Sequence, residues 1–322
     1  MKRGRFPVAL ALGFTVVVAA CVGGSDTQID PEYVLEVPEA QLPAAEAIGT
    51  EEEIATQPVS EEATFFDGGN GALTNPKGAT IASRFAPPEG YTRVPVQRGS
   101  FAEYLRHLPL KPDGSPVLYY DGMEKPNYAV YAAVIDLPIG TRDLHQCADA
   151  VIRLRAEYLW RAGRYHDIHF NLTNGFRMDY SEWMRGNRLV VDGNHTSWSN
   201  HAQPSNTYDD FWAYCQMVFA YAGSYSLSKE LQPIRVADMQ IGDVIILGGF
   251  PGHSEIVVDM ARRDDGQFVF LLAQSYMPAQ ELQVLINPND QALGPWHRWA
   301  DGEEIHTAEY SFPAGSLKRF QD

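Results

Sequence analysis

The sequence predicts an α+β fold in which helices pack on an antiparallel β-sheet or half-barrel, and three observations carry that expectation. Two capped stretches, near 143–163 and 208–223, repeat apolar residues at the helical period. The run 128–137 (Tyr-Ala-Val-Tyr-Ala-Ala-Val-Ile-Asp-Leu) has the character of a buried strand. Residues 241–274 alternate short apolar runs with glycine-containing turns, which is the pattern of paired antiparallel strands.

Before that domain the chain reads differently. Lys2, Arg3 and Arg5 precede an uncharged apolar run from Pro7 to Ala20. This run is shorter than the ~20 residues a stable membrane span needs, so residues 1–20 read as a signal peptide. The run ends in Val18-Ala19-Ala20-Cys21, which resembles the bacterial lipobox; the resemblance implies lipidation at Cys21 and a membrane partner through that lipid. Val22 follows, where an Asp implies inner-membrane retention, so the implied address is the outer membrane of the bacterial cell envelope. Residues 21–64 form an acidic tether with eleven Asp or Glu and no Lys or Arg, and disorder is expected there because little apolar surface offsets the ordering entropy. The formal net charge of the chain is −16, of which leader and tether leave −8 for residues 65–322. That mild acidity excludes nucleic acid as a partner, which requires a basic face.

Residues 65–322 show no internal repeat, no low-complexity tract and no linker-like break, and read as a single α+β domain. Ser100 caps a short helix stopped by Pro109. Asp143-x-x-Gln146 fits a capping box for the first long helix, Gly163 ends it, and its apolar stripe is Leu144, Cys147, Ala148, Val151, Leu154 and Tyr158. Asn206 or Thr207 caps the second, which buries Phe211, Trp212, Cys215, Val218, Phe219 and Ala222. Strands are expected at 244–247, 253–260 and 268–274, with Asp264-Asp265-Gly266 as a hairpin turn. Strict alternation then places His253, Glu255, Val257 and Asp259 on one face, with Gln274 returning beside His253.

No glycine-rich phosphate loop is present, and His166-x-x-His169 and the His195/His201 pair have weak metal spacing, so neither cofactor nor metal is expected. Cys147 beside a helix start and His253 opening a later strand are the candidate nucleophile and base. Two other readings of Cys147 stay open, a buried free thiol and a disulfide with Cys215 between two packed helices. The polar and aromatic segment from His166 to Arg188 reads as a substrate groove through Asn171, Asn174 and Trp183, with Trp183 and Trp198 stacking on sugar rings. A loop-rich edge satisfying its own backbone is the other reading of that segment.

Gly242-Asp243, a short strand, Gly252-His253, a strand, a turn, a strand and Gln274-Ser275 together resemble the second half of CHAP and NlpC cell-wall amidases and peptidases over about 35 residues. That resemblance implies a papain-like fold with Cys147 as nucleophile, His253 as base and Gln274 orienting the imidazole. Gln differs from the Asn, His, Asp or Glu of those families and cannot stabilise imidazolium by charge; Glu255 is the candidate to supply it. The cap at Asp143 places Cys147 about one turn inside its helix, where the helix dipole is weaker.

Separately, Ser100–Arg106, Leu108–Pro112, Gln146–Val151, Asn171–Phe176 and Leu272–Gln280 resemble an uncharacterised family of bacterial lipoproteins across 85–299. Two functions of different class follow. One is a thiol hydrolase, a peptidase or amidase with peptidoglycan as the candidate partner. The other is a non-catalytic envelope lipoprotein that binds glycan or protein, with Cys147 structural.

Overall fold

The longest β-branched and aromatic runs of the chain, at 244–274, build the middle of the main sheet, and everything else is arranged around them. The computed structural model describes residues 72–321, so the leader, Cys21 and the acidic tether lie outside the described residues. In chain order the helices are α1 (Ile81–Arg84), α2 (Phe101–Arg106), α3 (Cys147–Arg161), α4 (Tyr180–Met184), α5 (Tyr208–Tyr221) and α6 (Ser224–Glu230). The strands are β1 (Thr92–Arg93), β2 (Tyr131–Val134), β3 (His169–Asn171), β4 (Arg177–Asp179), β5 (Asn187–Asp192), β6 (His195–Asn200) and β7 (Gln232–Pro233). They continue as β8 (Val244–Leu247), β9 (His253–Arg262), β10 (Phe268–Gln274), β11 (Gln283–Leu285), β12 (Ile305–His306), β13 (Ser311–Phe312) and β14 (Leu317–Arg319).

The main sheet has the order β2-β11-β10-β9-β8-β14-β7, with β1 on the far half of β9 and every pairing antiparallel. The fold is thus mixed α and β with a largely antiparallel sheet and few helices. Strands β9 and β10 are buried almost end to end, which is why their sequences read as continuous apolar runs. Helices α2 and α3 pack on β9. Separate hairpins β3–β4, β5–β6 and β12–β13 stand outside the main sheet.

Strands β8 and β10 form where the sequence places them, and Ser100 and Thr207 accept from Glu103 N and Asp210 N at 3.2 and 3.3 Å as the caps of α2 and α5. Three expectations change. The run 128–137 starts as a 3₁₀ turn at Tyr128–Val130, because Asn127 Oδ1 accepts from Ala129 N at 3.2 Å, and only Tyr131–Val134 is strand.

The second change concerns α3, which starts at Cys147 and not at Asp143. The working cap pair is Gln146 and Asp149, with Asp149 Oδ2 accepting from Gln146 N at 3.1 Å. Asp143 is used elsewhere: its Oδ1 accepts from Ala279 N at 2.7 Å and from Gln146 Nε2 at 3.0 Å. Gly163 does sit just past the helix end, with φ +68°.

The third change is a β-bulge. Val257 faces Leu272 and Asp259 faces Leu271, so Val258 is an extra residue and the alternation of β9 changes phase there. Asp259 therefore lies on the face opposite Val257. It is held there by Arg93 Nε at 2.8 Å and Arg106 Nε at 2.7 Å, away from His253 and Glu255.

Candidate active site

Two features of the loop before β9 bring His253 to its position. A Cβ on Gly252 would stand 2.2 Å from Ser224 Oγ and 2.7 Å from the carbonyl oxygens of Leu247 and Gly249; only glycine lets the chain pass so close to α6. Ser224 Oγ in turn donates to Gly249 O at 3.2 Å. The imidazole then enters a nearly closed aromatic surround, 4.7 Å from the Tyr276 ring, 4.8 Å from Tyr310 and 5.8 Å from Phe312 between centroids.

His253 Nε2 lies 2.6 Å from Gln274 Oε1, and Gln274 Nε2 donates to Glu309 Oε2 at 2.6 Å. The same carboxylate oxygen pairs with Lys125 Nζ at 2.5 Å and accepts from Gln283 Nε2 at 3.4 Å. Burial holds the His253 imidazole down to about 4, the Gln274 hydrogen bond pulling the other way and the Lys125 charge adding to the lowering. His253 is therefore neutral at neutral pH.

Cys147 occupies the first position of α3 and is partly exposed. Its thiol faces the start of β9: the backbone N–H groups of Ala148, Ser254 and Cys147 itself stabilise the thiolate, and the charge of a Cys147 thiolate is felt at Tyr276 and Tyr310. These are the same two rings that flank His253, which places the thiol and the imidazole on the same side of β9. Burial, reinforced by the Asp149 carboxylate, nonetheless pushes the thiol up to about 11. Asp149 itself is held well above the usual carboxylate range by burial. At rest, then, the pair is neutral thiol and neutral imidazole rather than a preformed ion pair.

Glu255 is buried on the same face. Its Oε1 accepts from Thr307 Oγ1 at 2.6 Å and lies 3.8 Å from His253 Nε2, while Oε2 has no partner. Burial pushes this carboxyl up to about 8, so near neutrality it is an uncharged acid. It can neither touch a substrate nor supply the charge expected of it.

The other expected substrate contacts do not join this site. Trp183 is only 2 % exposed, packed 6.0 Å from the Tyr214 ring and covered by the Arg188 guanidinium at 4.1 Å. Trp198 packs on Phe176 at 5.6 Å. Asn174 serves its own turn, accepting from Phe176 N at 3.0 Å and donating to Asn194 O at 3.0 Å. Asn171 N donates to Glu230 Oε2 at 2.9 Å, at the far end of α6 from Ser224 and so about 10 Å from the Gly252 loop.

Cys147 and Cys215 are free thiols. Cys215 is buried on α5, beside Glu157 and Arg153, and Glu157 is ten residues from Cys147 along α3. That separation is about 15 Å at 1.5 Å per residue, well outside disulfide reach. Among the described residues no group of three or more His, Cys, Asp and Glu is placed to hold a metal ion, and no helix is long and apolar enough to cross a membrane.

Glu309, Lys125, Tyr276 and Tyr310 complete the site, and sequence reasoning missed them. Tyr276 follows Gln274-Ser275 directly and was readable there; the others come from distant segments with no local signal. A cavity of about 600 Å³ is lined by residues of 118–122 and 138–141 and by Glu281. Neither Cys147 nor His253 lines it. Its 118–122 wall is tied to the segment before α3 through Ala279, which donates to Asp143 Oδ1 at 2.7 Å and accepts from Tyr120 N at 2.9 Å.

A family model described as domain of unknown function (4846) matches residues 81–319, and the chain belongs to that family. No curated protein and no solved structure matches the chain.

Proposed function

We propose that this member of the family is a thiol hydrolase of papain-like arrangement, cleaving an amide or ester bond at the bacterial cell envelope. The observation that supports it most is the 2.6 Å contact from His253 Nε2 to Gln274 Oε1 beside a cysteine at the first position of a helix. In this reading a bound substrate carbonyl displaces water from the aromatic surround, His253 takes the Cys147 proton, and the thiolate attacks the carbonyl carbon. Free N–H groups of the first turn of α3 are suited to stabilise the oxyanion. His253 then returns the proton to the leaving group, and water hydrolyses the thioester.

Because imidazole and thiol are both neutral at rest, His253 acts as a general base during attack. The substrate class is the peptidoglycan stem peptide or muramoyl amide, with the cavity beside Tyr120 and Glu281 as an extended binding region. Lipidation at Cys21 holds the domain at the outer membrane, where that polymer is within reach.

The high thiol pKa favours one other reading, a non-catalytic binding module that retains the fold with Cys147 structural. Incubating the chain with soluble peptidoglycan fragments separates them. Release of new amines or carboxylates that is lost in Cys147→Ala supports the hydrolase, and identical fragment profiles with both proteins remove it.

A further inference from the structure

The buried chain of contacts behind His253 carries a more specific conclusion. An ionised carboxylate only accepts hydrogen bonds, whereas a glutamine amide donates from one end and accepts at the other. With Glu309 Oε2 at 2.6 Å, the nearer end of Gln274 must be its NH₂, and Oε1 is turned to His253. A carbonyl oxygen 2.6 Å from His253 Nε2 requires a proton on that nitrogen. In a neutral imidazole the other nitrogen, Nδ1, then carries the lone pair.

We propose that Glu309 is a positioning residue: anchored by Lys125, its carboxylate fixes the orientation of the Gln274 amide and so holds the His253 proton on Nε2, leaving Nδ1 as the base. Lys125 is buried and its ammonium contacts both Glu309 Oε2 and, at 3.5 Å, Gln283 Oε1, so the anchor is itself held by β11. Gln283 Nε2 donates to Gln280 Oε1 at 3.2 Å, which continues the fixed polarity along the wall. Without the carboxylate nothing in this wall distinguishes the two ends of Gln274. A flipped amide would point NH₂ at Nε2, force the proton to Nδ1 and remove the base. The consequence for Cys147 rests on the thiol-hydrolase reading; the tautomer itself does not.

The test is two-bond ¹H–¹⁵N correlation NMR on the full chain labelled at histidine, with His253→Ala to assign the ring. Wild type is expected to show His253 as a single Nε2–H form. Glu309→Gln, which replaces the acceptor-only group by one that presents either end, is expected to populate the Nδ1–H form. Glu309→Asp keeps an acceptor-only group and is expected to retain Nε2–H. Turnover of soluble peptidoglycan fragments near neutral pH is expected to fall by on the order of tenfold or more in Glu309→Gln and to recover in Glu309→Asp. An Nδ1–H form in wild type overturns the proposal without any variant, as does an unchanged Nε2–H form in Glu309→Gln. A shifted tautomer with unchanged turnover upholds the positioning role and instead counts against the hydrolase.

Discussion

Replacing Glu255 by Gln tests the electrostatics around His253 without changing its shape. In the folded chain this carboxyl is pushed up to about 8 by burial, with the Glu309 charge in the same direction and the Thr307 hydrogen bond opposing, against an ordinary value of 4.5. Between those two values the native state keeps a proton that the unfolded chain has released. Stability from this group is therefore full below about pH 4.5 and is lost as pH rises towards 8. A shift of about 3.5 units at 1.36 kcal/mol each corresponds to about 5 kcal/mol. The Glu255→Gln side chain keeps an oxygen for the Thr307 hydroxyl and does not titrate. Urea unfolding of both proteins at pH 5 to 9 isolates the effect, since every other titrating group cancels in the difference. Wild type is expected to lose ~1.4 kcal/mol per pH unit relative to Glu255→Gln up to pH 8, with a plateau above it. A difference that stays flat across that range would mean Glu255 is ionised in the native state, and the claim that His253 has no charged partner near neutrality would fall.

Two further outcomes follow from the packing. Gly252→Ala puts a methyl group 2.7 Å from two carbonyl oxygens, so the loop and His253 must shift; a loss of about 1–3 kcal/mol in urea unfolding is expected. His297 is buried against Phe270 with neither ring nitrogen partnered, and burial holds it down to about 3. Its folded value lies below its ordinary 6.5, so its contribution is intact above 6.5 and is lost as pH falls from there towards 3. His297→Phe is expected to raise the chain's unfolding midpoint at pH 5 by more than at pH 8.

What was legible in the sequence is what local pattern encodes. Strands β8 and β10 and the caps Ser100 and Thr207 follow from apolar runs and capping side chains, and Gln274 beside His253 follows from counting residues through the Asp264-Asp265-Gly266 hairpin. Where two patterns compete, the sequence misleads. Asp143-x-x-Gln146 and Gln146-x-x-Asp149 are both plausible caps, and the first lost because Asp143 is occupied by Ala279 N. The bulge at Val258 has no glycine to announce it, so strict alternation puts Asp259 on the wrong face. Trp183 reads the same whether its ring lines a groove or lies under Arg188, since both settings are aromatic and polar. Glu309 and Lys125 meet across 184 residues, a juxtaposition no spacing rule anticipates.

The most direct test of the account is the pH profile of Cys147 alkylation in the native chain, followed by peptide mapping. With the thiol near 11 and the imidazole near 4, the simple thiolate outweighs any thiolate–imidazolium pair, and its fraction grows about tenfold per pH unit up to 11. A rate that climbs about tenfold per pH unit from pH 5 to 9 is therefore expected, with buried Cys215 unlabelled. His253→Ala should keep that slope, since an imidazole near 4 forms no ion pair with the thiol at rest. A wild-type plateau across pH 5 to 9 that His253→Ala abolishes, the mark of a preformed thiolate–imidazolium pair, or labelling of Cys147 only after unfolding, would contradict it.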